Sequence, residues 1–289
     1  MKLKEALKDV LAENELKRVI KSYDVIGDIL LIRVHPDLES KIEILTEALH
    51  KIYPRVKTIA AVPLYAHTDE LYRTRDLEVI WGEKDMVTVH KESGSLFKVN
   101  LEHVFFSPRL SYERMRVARK VSSGETIINM FSGVGCFSIV IAAAQPQTKI
   151  YSIDVNPYAY EYMKENVALN KLEGRVIPIL GDVREELKNL EGVADRVLMP
   201  LPEEAHSFLP FAVRALNLDT EGAVIHYYDV TTGEKGDDLF DVPIQRAKDI
   251  IASTFDDSLI LQIKEKRIVR SVAPWKYHVV LDLFVEAAP

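Results

Sequence analysis

The spacing of apolar and polar positions changes character near residue 108. Residues 2–20 set apolar among charged positions at helical spacing, which predicts one helix. Y-D-V-I-G-D-I-L-L-I-R-V then reads as strand, with Gly27 at a turn or bulge. Residues 37–52 return to a helical stripe of Leu38, Ile42, Leu45, Ala48 and Ile52. Strands are expected at 56–62 and 77–81, and V-T-V-H-K-E-S-G-S-L-F-K-V reads as a hairpin turning at Ser93-Gly94. The first hundred residues are expected to form a small α+β module.

After Pro108 a helix is expected at 111–121, and then strands alternate with helices. T-I-I-N-M-F, K-I-Y-S-I-D, R-V-I-P-I-L, D-R-V-L-M-P and G-A-V-I-H-Y-Y read as strands. Between them, helices are expected up to Ala144, from Pro157 to Asn170, near 184–190 and near 203–216. A helix near 242–256 and two strands, 264–272 and 277–285, close the chain. Such alternation predicts an α/β, doubly wound, mostly parallel sheet, and the last two strands an antiparallel edge. The expected domains are 1–104, small α+β, and 105–289, Rossmann-like.

Composition narrows the picture. The 289 residues are 47% hydrophobic and 28% charged, as in soluble globular proteins. No apolar run approaches the roughly 20 residues of a membrane helix, so no membrane role is expected. One cysteine, Cys136, excludes an internal disulfide and a cysteine-built zinc site. A reducing, cytoplasmic setting is the simplest reading, and no metal is expected. The net charge of −7 argues mildly against nucleic-acid binding, yet Arg109, Arg114, Arg116, Arg119 and Lys120 surround a lone acid, Glu113. Such a cluster is more often a solvated helix face than a phosphate track.

Candidate chemistry begins at N-M-F-S-G-V-G-C-F-S, between a predicted strand and its helix. Gly133 and Gly135 let the backbone turn tightly and approach a ligand, and the helix behind them offers unpaired N–H groups. Ser138 stands where a dinucleotide fingerprint has its third glycine. Asp154, at the end of the next strand, can accept two ribose hydroxyls, and Asp182 ends the third strand on the same rim. NAD and S-adenosylmethionine both fit; the acid after strand three favours S-adenosylmethionine. The bland alternative for both acids is capping or turn chemistry.

With these elements in place the chain resembles the archaeal and eukaryotic tRNA (guanine37-N1)-methyltransferases over nearly its whole length. The likeness runs through S-Y-D-V-I-G-D-I, Y-R-T-R-D-L-E, V-H-K-E-S-G, F-F-S-P-R-L-S-Y-E-R, N-M-F-S-G-V-G-C-F-S-I, I-D-V-N-P, G-D-V-R-E and V-I-H-Y-Y. The S-P-R-L-x-x-E-R element is the most specific. The resemblance implies a class I methyltransferase domain and the form without the N-terminal domain that grips the tRNA elbow. It implies S-adenosylmethionine as cofactor, the tRNA anticodon stem-loop as partner, and a monomer. It carries the general-base role onto Glu113 and stabilisation of charge on O6 onto Arg73. Arg109, Phe131, Gly133, Gly135, Ile153, Asp154, Asp182 and Val183 are expected around the cofactor. Arg114 and Arg116, with Arg119 and Lys120, are expected as phosphate contacts. Tyr72 and Tyr112 are available to stack on a flipped base, whereas Trp81 and Trp275 are expected to pack.

One departure stands out. Where the family has Asn-Leu-Pro, this chain has Pro200, Leu201 and Pro202, expected at the purine. Proline has neither a polar side-chain group nor an N–H. A backbone carbonyl, or Glu203, Glu204 or His206, then has to take over the asparagine's work, or the target has changed. The alternatives are wyosine-pathway carbon methylation or aminocarboxypropyl transfer at position 37, a tRNA-binding homologue without catalysis, and a small-molecule methyltransferase.

Overall fold

The computed structural model describes residues 2–63, 69, 71–219, 222–234, 236–255 and 258–289. The chain divides into two compact units, Met1–Arg109 and Leu110–Pro289, five residues beyond the boundary expected at 104/105.

The first unit opens with two short helices, α1 (Leu3–Leu7) and α2 (Glu13–Arg18), in place of the single helix expected over 2–20. The Glu15 carboxylate reaches back to the Ala12 N–H (2.8 Å) and starts a new helix there. The break lets Leu3, Leu7 and Leu11 all enter the core. Strands β1 (Tyr23–Ile26) and β2 (Ile29–Ile32) form a hairpin, followed by a 3-10 turn at Pro36–Lys41 and α3 (Ile42–Ile52). β3 (Thr58–Ala61) lies parallel to β2, and β4 (Glu78–Gly82) antiparallel to β3, giving the order β1-β2-β3-β4. Gly27 turns the first hairpin at φ +57°, and an added Cβ would lie 2.0 Å from Thr88 Oγ1. Thr88 belongs to a separate hairpin, β5 (Val87–Glu92) and β6 (Ser95–Asn100), which turns at Ser93-Gly94 as expected. Trp81 packs on His50 at 4.4 Å against this unit's core.

The second unit begins with α4 (Ser111–Ala118). It continues through β7 (Thr126–Asn129), α5 (Cys136–Ala144), β8 (Lys149–Asp154), α6 (Pro157–Leu169) and β9 (Val176–Leu180). Then follow α7 (Val183–Glu186), β10 (Arg196–Met199), α8 (Ala205–Arg214), β11 (Ala223–Thr232) and α9 (Asp241–Phe255). Residue 256, the expected end of the last helix, lies outside the described residues. The hairpin β12 (Leu259–Ala273) and β13 (Lys276–Ala287) closes the chain. The sheet order is β12-β13-β11-β10-β7-β8-β9. The five strands from β11 to β9 are parallel; β13 and β12 form the antiparallel edge that the sequence pattern predicts.

Strand order runs outward from β7 in both directions, so the switch point lies between β7 and β10. In such sheets ligands bind there, beyond the carboxyl ends of the strands. One sheet face buries Ile128, Met130, Ile153, Met199 and Tyr227 against α7, α8 and α9. Trp275 does not pack as expected: it sits at the β12–β13 turn with φ +60° and is 53% exposed.

Candidate active site

The loop after β7 is built by its glycines and held by Asp154. Gly133 and Gly135 adopt φ +54° and +88°, where a side chain is strained. Gly135 caps the N-terminus of α5. Gly133 N–H donates to Asp154 Oδ2 (2.6 Å), Asn156 N–H donates to Asp154 Oδ1 (2.9 Å), and Ser132 N–H donates to the Ile153 carbonyl (2.9 Å). Each Asp154 oxygen therefore has one bond to the loop backbone and capacity for another. Burial pushes the Asp154 carboxyl above its ordinary value, against the pull of those two N–H donors. Ser138 is wholly buried, accepting from Asn129 Nδ2 (3.0 Å) and contacting Ser152 Oγ at 2.7 Å. Its hydroxyl ties α5 to β7 and β8 where a third glycine would tie nothing.

The other expected cofactor residues divide. Phe131 is half-buried and meets Phe208 edge-on at 5.0 Å. Ile153 is fully buried, so it supports the loop through its carbonyl and offers no side-chain surface. Asp182 caps α7 through the Arg184 N–H (2.8 Å) and holds the Arg184 guanidinium. That guanidinium keeps the Asp182 carboxyl below its ordinary value. Val183, buried, is the first residue of α7, where a helix N–H has no intrahelical partner.

Across the switch point, Pro200, Leu201 and Pro202 are half-buried at the end of β10. The Met199 carbonyl accepts the Leu201 N–H (2.8 Å), and the Leu201 carbonyl accepts those of Glu204 and Ala205 (3.1 and 2.8 Å). No backbone hydrogen bond among the described residues ends on the Pro200 carbonyl. His206 follows in the first turn of α8, its Nδ1 buried and without a hydrogen-bond partner among the described residues.

The largest correction concerns α4. Arg114 and Arg116, expected as phosphate contacts, are 3% and 8% exposed. Arg116 donates through Nε and Nη2 to Glu113 (2.9 and 2.8 Å) and through Nη1 and Nη2 to Asp282 (2.7 and 3.1 Å). Its guanidinium is spent inside the unit, and these carboxylates outweigh burial in raising its affinity for its proton. Glu113, 3% exposed, also accepts the Tyr228 hydroxyl (2.7 Å). Burial and the Glu113 charge push that phenol well above its ordinary value.

Three partners in this cluster escaped the sequence reading: Tyr228, His226 and Asp282. His226 Nδ1 lies 2.6 Å from Asp282 Oδ1, and its Nε2 lies 2.8 Å from Arg196 Nη1. Arginine only donates, so Nε2 accepts and Nδ1–H donates to Asp282. Burial keeps His226 neutral against the pull of Asp282. Burial also works to raise Asp282, but the bonds and charges of His226 and Arg116 hold its carboxyl well below the carboxylate range. A signal was present: Asp282 interrupts the apolar run V-V-L-D-L-F of β13.

The first unit carries Arg73 and Arg109. Arg73 has φ +59° in a turn closed by its own N–H to the Asp69 carbonyl (2.9 Å). Arg109 Nε donates to Asp24 of β1 (2.6 Å). Tyr112, in the second unit, is 62% exposed, with the Arg267 guanidinium 4.4 Å from its ring centre.

Comparison with known proteins identifies the family. Residues 88–259 match the TRM5/TYW2 methyltransferase domain, and residues 3–85 match the TYW2 N-terminal domain. The tRNA (guanine(37)-N(1))-methyltransferase Trm5b of Methanocaldococcus jannaschii is 39% identical over 90% of this chain and 70% of its own length. The tRNA 4-demethylwyosine(37)-methyltransferase Taw21 of Saccharolobus solfataricus is 38% identical over 91% of this chain and 93% of its own. The solved complex of aTrm5 and tRNALeu superposes with a TM-score of 0.81 at 36% identity, covering 98% of this chain and 78% of that one. The chain belongs to the TRM5/TYW2 methyltransferase-domain family.

Proposed function

We propose that the protein methylates tRNA at N1 of guanosine 37, with S-adenosylmethionine as the methyl donor. The observation that carries this reading is the placement of Glu113. Met199 of β10 pairs with Tyr227 of β11, so Tyr228 stands level with Pro200 at the carboxyl edge of the sheet. Tyr228 holds Glu113 at that edge, on the rim that also carries the glycine loop and Asp154. The family match and the 39% identity to a Trm5b enzyme support it from outside, and tRNA as partner is supported by the aTrm5–tRNALeu complex.

The cofactor, when bound, supplies a methyl group made electrophilic by its sulfonium. Gly133 and Gly135 would keep the loop backbone open to it, Asp154 would accept from its ribose, and Asp182 and Val183 would meet its adenine, with Phe131 lining the same loop; the family resemblance implies a cofactor role for Arg109 as well. Guanine N1 carries a proton at neutral pH, so Glu113 takes that proton as the N1 pair becomes nucleophilic. Charge then grows on O6, where Arg73 stabilises it. Pro200, Leu201 and Pro202 form the floor under the purine, and the Pro200 carbonyl accepts from the exocyclic amine in place of the family asparagine.

Pro200 also favours a second reading, carbon methylation of a wyosine-type base; the Taw21 relative is named a tRNA 4-demethylwyosine(37)-methyltransferase. Glu113→Gln tests the leading reading. General-base catalysis contributes about 10²- to 10⁴-fold, so kcat on G37 tRNA falls by that order while cofactor affinity holds. Equal loss of cofactor binding would make Glu113 structural.

A further inference from the structure

The two oxygens of Glu113 are not equivalent. Oε1 accepts from Tyr228 Oη (2.7 Å) and Arg116 Nη2 (2.8 Å), whereas Oε2 accepts only from Arg116 Nε (2.9 Å) among the described residues. A carboxylate oxygen offers two lone-pair sites, so Oε1 is filled and Oε2 retains one. The donors are themselves fixed. Asp282 holds the far side of the Arg116 guanidinium (2.7 and 3.1 Å), and neutral His226 orients Asp282 from behind (2.6 Å). Arg196 fixes the His226 tautomer and is anchored in turn by Glu125 (2.7 Å).

We infer that Tyr228, Arg116, Asp282 and His226 are positioning residues that reserve Oε2 of Glu113 for the substrate proton. This rests on Glu113 being the base. The charged and titratable groups here come from several elements: Arg116 from α4 and Lys120 just beyond it, Arg196 from β10, Tyr228 and His226 from β11, Glu265 from β12 and Asp282 from β13. Two cations, Arg116 and Lys120, face three carboxylates, Glu113, Asp282 and Glu265, so the cations are shared and each donor to Glu113 counts. Losing the Tyr228 donor empties a site on Oε1, lets the proton settle on either oxygen and lets the carboxylate turn.

The test is Tyr228→Phe, which keeps the ring against Phe137 and removes one hydroxyl. Turnover on G37 tRNA is expected to fall about 10- to 100-fold, the worth of one hydrogen bond to a charged group. The acid limb of the pH–rate profile should move upward, since a carboxylate that loses a donor takes a proton more readily. KM for S-adenosylmethionine should stay within about twofold, because nothing bound by the glycine loop changes. In a Glu113→Gln background the same substitution should cost no further turnover. Asp282→Asn, which removes the carboxylate that competes with Glu113 for Arg116, should move the acid limb the other way, downward.

Three results would overturn the inference. Wild-type turnover and pH profile in Tyr228→Phe would show that Oε1 needs no second donor. An equal loss with and without Glu113 would make Tyr228 merely structural. Full turnover in Glu113→Gln alone would remove the base itself, and the inference with it; only that result also discards the assigned role of Glu113.

Discussion

Replacing Arg116 by Gln separates the phosphate contact that the family resemblance implies from the buried cation that the structure shows. As a phosphate contact, Arg116 would cost little stability, and its loss would reduce the salt slope of tRNA binding by about 0.7–0.9. In the structure it is the cation between two buried carboxylates, Glu113 and Asp282, at 2.7–3.1 Å. Without it, Asp282 retains Lys120 (3.2 Å) and His226, but Glu113 retains only the Tyr228 hydroxyl among the described residues. Removing one partner from a buried ion pair costs about 3–5 kcal/mol. For a unit of this size each kcal/mol lowers Tm by about 2–4 °C, so a fall of roughly 10 °C is expected. Scanning calorimetry of the variant measures it, and filter binding across a salt series measures the slope. An unchanged Tm with a shallower slope would refute the buried-cation assignment.

Two further outcomes follow from the same geometry. Asp154→Asn should weaken S-adenosylmethionine binding about 10- to 100-fold in titration calorimetry, because an amide cannot accept from the ribose and also hold the Gly133 and Asn156 N–H groups; unchanged affinity would take Asp154 out of the cofactor site. His278 is pushed down to about 4, mainly by burial and by Arg270, with Glu203 opposing. Between pH 4 and 6.5 the unfolded chain binds this proton and the folded one does not, so stability rises with pH across that window. The loss on acidification to pH 4 is about 2–3 kcal/mol, and His278→Gln should flatten that part of a denaturant-midpoint profile.

What was legible in the sequence was what is local. Gly133, Gly135, Asp154 and Asp182 could be placed on one rim because strand ends and helix starts are set by neighbours within a few residues. The course of β7 to β11 was legible for the same reason. The α4 cluster was not, because Arg116 and Asp282 are 166 residues apart and a basic residue at helical spacing carries no mark of burial. Glu113 and Arg116, three apart, read as an ordinary surface pair until β11 and β13 supply the partners that bury them. The helix expected over 2–20 failed on a single side chain, Glu15, whose bond to the Ala12 N–H no periodicity reveals. Trp275 failed because a large aromatic is a packing residue by default, while here it occupies a two-residue turn that points away from the core.

Pro200 keeps its place at the centre of the functional reading. The Met199 and Leu201 carbonyls are engaged along their own chain, and among the described residues no backbone donor ends on the Pro200 carbonyl. A carbonyl can serve the exocyclic amine of guanine as an amide oxygen would, so loss of the asparagine does not by itself redirect the reaction.

The most direct measurement is the identity of the methylated nucleoside. The protein is incubated with S-adenosylmethionine labelled in its methyl group and with tRNA carrying guanosine 37, adenosine 37 or 4-demethylwyosine 37, and the digests are resolved by mass spectrometry. The expected product is 1-methylguanosine from the guanosine 37 tRNA alone. A carbon-methylated base from the 4-demethylwyosine tRNA, with none from guanosine 37, would contradict it.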